Sequence, residues 1–128
     1  MKLRIRGNSL RLRLTKSEVA QFAETGSVEE IVEFGINEEQ RFIYSLTVST
    51  EIENVSASLE NKRISVLVPK PRALQWANTN EIGIRVAQSL DKGKILQILI
   101  EKDFACLEDR PGEDDSDAFP HPQPEKKC

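Results

Sequence analysis

The residues of this chain best placed to do chemistry are five cations on an alternating ribbon: Lys2, Arg4 and Arg6, then Arg11 and Arg13, set between apolar neighbours. Arginine's planar fork suits bidentate contacts to phosphate or carboxylate, and five such charges on one surface create a local positive field. The chemistry to expect is capture of an anion. Acids form a second candidate set: Glu51 and Glu53, with Glu101 and Lys102 at the corresponding end of the second half, would hold Mg²⁺ if their strands converged, although acids alternating at a strand end are ordinarily solvated. Nucleophilic catalysis has little to draw on. The single histidine, His121, lies in a proline-rich stretch, and Cys106 and Cys128 lack CxxC spacing or paired zinc ligands. Gly26, Gly35, Gly83 and Gly93 are isolated and read as caps and turns, with no phosphate-cradling loop. No catalytic residue, metal site or cofactor is therefore assigned. Aromatic residues do not interleave with the basic ribbon, which weighs against a single-stranded nucleic-acid platform.

Two strands must position the cations. Met1 to Arg6 and Leu10 to Leu14 alternate apolar and basic side chains with period two. Gly7-Asn8 separates them, and glycine at the first central position permits the positive φ of a type II′ turn. A two-residue hairpin sets Arg4 opposite Arg11 and Lys2 opposite Arg13. It also sends Met1, Leu3, Ile5, Leu10, Leu12 and Leu14 to the core. Like charges directly opposed destabilise a hairpin by roughly 0.2–1 kcal/mol per pair, so the ribbon needs counter-charges. Three sources are on offer: Glu29 and Glu33 on a neighbouring strand, an anionic partner, or the acids from Glu113 to Asp117 in the chain's own C-terminal tail, tethered at high effective concentration.

The pattern then recurs. Leu10, Leu12 and Leu14 are followed 54 residues later by Ile64, Val66 and Val68; Phe22 by Trp76; Val28 and Val32 by Ile82 and Val86; and Phe42, Tyr44 and Leu46 by Leu96, Ile98 and Ile100. This predicts a strand-strand-helix-strand-strand unit used twice, within about 1–50 and 51–104, in one domain spanning 1–104. Thr15 and Glu18 form a capping box for the first helix, with Val19, Ala20, Phe22 and Ala23 as its apolar stripe; Pro69 and Pro71 open the second, whose stripe is Ala73, Leu74, Trp76 and Ala77. Phe22 and Trp76 are the expected anchors. Short links favour antiparallel pairing, giving an α+β fold of eight antiparallel strands, as a barrel or as two packed sheets, with two short helices. Closure has the advantage of removing sheet edges.

Charge separates the domain from its tail: residues 1–103 hold 15 Lys/Arg and 14 Asp/Glu, whereas 104–128 hold 3 against 7. The segment 105–128, acidic and then proline-rich, is expected to be disordered or draped over the domain. No apolar run approaches a membrane span, and two cysteines near one end make no disulfide framework, so a soluble cytoplasmic protein with free thiols is predicted.

The strings LRIRGNSLRLRLTKSEVAQF, ILIEKDFACL and DAFPHP resemble a family of short uncharacterised bacterial proteins. That resemblance implies a bacterial cytoplasmic protein and no activity. Topologically, each half is also similar to the repeated unit of the triphosphate tunnel enzymes, whose eight-stranded barrel encloses Lys, Arg and Glu residues that bind triphosphate and a divalent metal. The chain departs from their Glu-x-Glu-x-Lys signature: the first strand carries Lys2, Arg4 and Arg6, and Glu51 and Glu53 are followed by Val55. The function expected is thus a small non-enzymatic binding or adaptor protein whose basic sheet face takes an anionic small molecule, an acidic protein segment or its own tail. A metal-dependent triphosphate or phosphate hydrolase in a basic barrel is the alternative.

Overall fold

The computed structural model describes residues 1–104 and 117–119. The elements run β1 (Lys2–Ile5), β2 (Ser9–Leu14), α1 (Lys16–Thr25), β3 (Ser27–Glu33), β4 (Arg41–Ser49), β5 (Ser56–Glu60), β6 (Arg63–Pro69), α2 (Lys70–Asn78), β7 (Gly83–Ser89) and β8 (Ile95–Lys102), with 3₁₀ turns at Glu38–Gln40 and Asp91–Gly93. No helix among the described residues is long and apolar enough to cross a membrane.

The strands form two four-stranded sheets, ordered β1-β2-β8-β7 and β3-β4-β6-β5. Each hairpin pairs as its turn dictates. Gly7 has φ +55°, and Arg4 faces Arg11 while Lys2 faces Arg13. The partition between sheets departs from expectation. β2 lies parallel to β8 and β4 parallel to β6, so both sheets are mixed and neither closes into a barrel. The physical reason is that each helix carries the chain out of one sheet and into the other. The hairpin β1-β2 therefore completes its sheet with β7-β8 from the far half, while β3-β4 joins β5-β6.

Elements of the second half start 54 residues after those of the first at β2 and β6, α1 and α2, and β4 and β8. β3 and β7 differ. Leu46 faces Val28, whereas Ile100 faces Ile84, so Val28 corresponds to Ile84 and not to Ile82. Two extra residues before β7 are offset by a shorter link after it. A shift of two preserves which face every side chain takes, so hydropathy alone cannot detect it.

One apolar core joins both sheets and both helices. Leu12, Leu14, Val66, Val68, Ile98 and Ile100 point inward from the central strands, and Phe22 and Trp76, both fully buried, meet edge-on with ring centroids 6.0 Å apart. α1 starts with its predicted capping box and ends on Gly26 at φ +85°. The helices follow the ends of β2 and β6 and cover that end of the sandwich. Toward the opposite end the strands carry exposed apolar side chains, so Ile5, expected in the core, is 58% exposed and Val32 is 40% exposed.

Two seams separate the sheet edges, and side chains bridge both. At the β1/β3 seam the Met1 ammonium is bound by Glu18 and Glu30, and the Tyr44 hydroxyl donates to the Met1 carbonyl at 2.8 Å. Burial pulls the ammonium pKa down, but hydrogen bonds to the two carboxylates leave it raised overall. At the β5/β7 seam the Gln88 amide accepts from the Ala57 N–H at 2.7 Å and donates to its carbonyl at 3.0 Å, imitating a strand partner.

Candidate functional site

The outer face of the first sheet is laid out by register. One row across it reads Lys2, Arg13, Glu101, Gly83; the next reads Arg4, Arg11, Leu99, Arg85. All five predicted cations fall here or, for Arg6, at the adjoining turn, because Leu10, Leu12 and Leu14 turn inward. The counter-charges are not those expected. Glu29 lies on the other sheet and accepts from Arg63 at 2.8 Å, and Glu33 pairs in register with Arg41. Cross-half pairing instead delivers Glu101, whose single Oε1 accepts from Arg11 Nε at 2.6 Å and from Arg13 Nε at 2.8 Å. Lys2 reaches Asp103 Oδ2 at 3.6 Å. Asp103 is buried and its Oδ1 has no hydrogen-bond partner among the described residues. Arg4, Arg6 and Arg85 make no ion pair among the described residues.

Between Arg11 and Arg85 the face is concave. Ser9, Arg11, Arg85, Gln97 and Leu99 line a hollow of about 260 Å³ in which two guanidinium groups flank an apolar floor, beside a hydroxyl and a carboxamide. Arg11 spends only Nε on Glu101, leaving its Nη groups for a ligand. Arg85 was not among the predicted site residues. Its placement between inward-facing Ile84 and Val86 does signal an outward side chain, but nothing local signals that β7 shares a sheet with β1 and β2.

The other candidates are scattered. Glu51 and Glu53 are exposed on the β4–β5 loop and Glu101 is occupied by arginines, so the three do not converge. No cluster of three metal-ligating side chains occurs among the described residues. The tunnel-enzyme arrangement of charges inside a closed barrel is not formed, because the sheets stay open and their inner faces are apolar except at Lys102. Cys106, His121 and Cys128, and most of the tail acids, lie outside the described residues. Asp117 does not sit on the basic face. Its carbonyl accepts from Lys16 N–H at 2.9 Å, and its carboxylate binds the Ser17 N–H and hydroxyl at the start of α1.

Lys102 is a charge that sequence reasoning left among loosely placed acids. It is the last inward-facing residue of β8, almost fully buried, donating to the Thr79 carbonyl at 2.7 Å between the rings of Trp76 and Phe119. Burial lowers its pKa, with Glu81 offsetting part of the effect. A lysine depressed in the folded state binds its proton more tightly when unfolded, so it makes stability rise with pH between its folded pKa and the ordinary value near 10.4. Lys102→Met keeps the length and removes the charge. We expect the variant to be more stable than wild type at pH 7 by about 1 kcal/mol, with wild type gaining on it toward pH 10 in urea titrations.

Residues 1–123 match a family described as a family of unknown function (DUF7009), and the chain belongs to that family. No curated protein and no solved structure matches it.

Proposed function

We propose that this member of the DUF7009 family is a non-enzymatic binding or adaptor protein that receives an anionic partner on the outer face of its first sheet. The observation carrying this reading is the row of Arg4, Arg11 and Arg85, hollowed between the last two, in which two guanidinium groups lack a carboxylate among the described residues and the third retains free donors. Ordinary charged sheet faces interleave acids and bases and gain little from each pair. Here Glu101 and Asp103 are drawn to one row, which leaves the next electropositive. The hollow is large enough for a phosphate or a carboxylate side chain, so phosphate esters and acidic peptide segments are the partner classes. We further read the 54-residue recurrence of elements as an internal duplication.

The test is a thermal-shift and calorimetric titration with pyrophosphate, triphosphate and a glutamate-rich peptide. A ligand at ~100 times its dissociation constant adds about 2.7 kcal/mol of stability. Arg85→Ala and Arg4→Ala should each weaken binding roughly tenfold or more, as loss of a charge-assisted hydrogen bond does, with little change in unliganded stability. If the tail competes for this face, neutralising Glu113, Asp114 and Asp115 together should tighten binding without disturbing the Asp117 and Phe119 contacts. Absence of any ligand-dependent shift in both the wild type and the tail variant would overturn the reading.

A further inference from the structure

The two seams differ in what fills them, and the difference points to a second binding site, independent of the basic face. At the β5/β7 seam, Val55, Pro69, Arg72, Ile84 and Val86 line a cleft of about 560 Å³, with Glu53 and Gln75 also on its walls. That volume lies within the usual range for small-molecule pockets. Its position is the counterpart of the place where the Met1 ammonium sits: Val55 corresponds to Met1 and Arg72 to Glu18, while Val86, two residues further along, corresponds to Glu30. Of the two carboxylates that hold a cation in the first half, one is thus replaced by arginine and the other by valine. At these corresponding positions the charge is reversed, and Val55, Pro69, Ile84 and Val86 give the cleft an apolar side alongside its polar lining of Glu53, Asn54 and Gln75.

The start of α2 adds to this. In α1 the first-turn N–H groups are satisfied by Thr15, Glu18 and Asp117. α2 begins on Pro69 with no side-chain cap, so the N–H groups of Lys70 and Arg72 have no side-chain acceptor among the described residues. Uncapped N–H groups and the positive end of the helix dipole favour a carboxylate. Arg72 already demonstrates the matching geometry, forking onto Glu81 at 2.5 and 2.9 Å through its two Nη atoms while Nε stays free. We propose that this cleft binds a small carboxylate with an apolar body, its head at Arg72 and the first turn of α2 and its body against Val55, Ile84 and Val86.

Hexanoate is the probe, with hexylamine and hexanol as controls of matched length, followed by amide chemical-shift mapping on the full chain. Hexanoate should perturb residues 53–57, 70–75 and 84–88, and hexylamine should not. Arg72→Met should weaken hexanoate binding at least tenfold; Val86→Phe, which fills the cleft without touching the charge, should do likewise. Glu81→Gln, which frees the fork, should tighten it. Because Arg72→Met also removes an ion pair, each variant is first checked for an unchanged spectrum of the core. Equal perturbation by hexylamine, shifts confined to the Arg4/Arg11/Arg85 row, or full-strength binding to folded Arg72→Met would each overturn the proposal. The pyrophosphate titration leaves the cleft signals unmoved if both sites exist, which separates failure of one from failure of the other.

Discussion

Trp76→Ala should lower the free energy of unfolding by about 3–5 kcal/mol, the range for truncating a buried aromatic side chain, and so remove a large part of the roughly 5–15 kcal/mol that a domain of this size possesses. Three losses coincide. The ring is fully buried where the two helices meet and packs edge-on against Phe22, so alanine leaves a cavity that two helices and two sheets cannot all collapse into. Its indole N–H donates to the Ile82 carbonyl at 3.1 Å, and that acceptor would be left with the Lys102 N–H alone. Lys102 Nζ, 5.7 Å from the ring centroid, would lose one of its two aromatic faces. Trp76→Phe separates these terms, since it refills most of the volume and gives up mainly the hydrogen bond; about 1–2 kcal/mol is expected for it. As Trp76 is the only tryptophan, circular dichroism in urea is the appropriate reading. A loss below 1 kcal/mol for the alanine variant would contradict the buried position.

Glu101→Gln should destabilise by about 1.5–3 kcal/mol and at the same time strengthen anion binding. One carboxylate oxygen serves Arg11 and Arg13 together, and those arginines lie opposite Arg4 and Lys2 in the hairpin. Without the charge, four cations face one another on neighbouring strands. The Glu101 side chain is only 11% exposed, while its partners are about a third exposed, so the value lies between that of a surface pair and that of a fully buried one. Salt screens the remaining repulsion, and the deficit should shrink between low and high ionic strength. Pyrophosphate should restore the variant more than it raises the wild type, because the ligand would supply the missing negative charge. Equal stability of variant and wild type at low salt would remove Glu101 as the neutraliser of the ribbon.

The local features were legible because their causes are local. Gly7 permits the turn, the turn sets Arg4 against Arg11, and Thr15 with Glu18 starts α1. The number and order of strands follow from period-two alternation, and the helices from their apolar stripes. What could not be read was which strands share a sheet. Ser9 faces Gln97 through a parallel pairing whose two members sit at opposite ends of the domain sequence. The same inward leucines and isoleucines would satisfy a barrel, two antiparallel sheets or the mixed pair observed. That choice decides the site as well. Glu101 and Arg85 join the ribbon only because β8 and β7 lie beside β2, and Glu29 leaves it only because β3 does not. The displacement of β7 by two residues was hidden for a related reason, since an even shift leaves the inward and outward sets unchanged.

Because each sheet takes one strand pair from either half, a nascent chain emerging from a ribosome can complete the β3-β4-β6-β5 sheet once β6 has been made, but cannot finish the β1-β2-β8-β7 sheet until β8 follows. The β1-β2 hairpin, synthesised first, would wait with the long edge of β2 unpaired, and the final strand would act as its fastener. Truncations within β8 should therefore be felt at the far N-terminus, and the two halves, severed, would need each other to acquire structure.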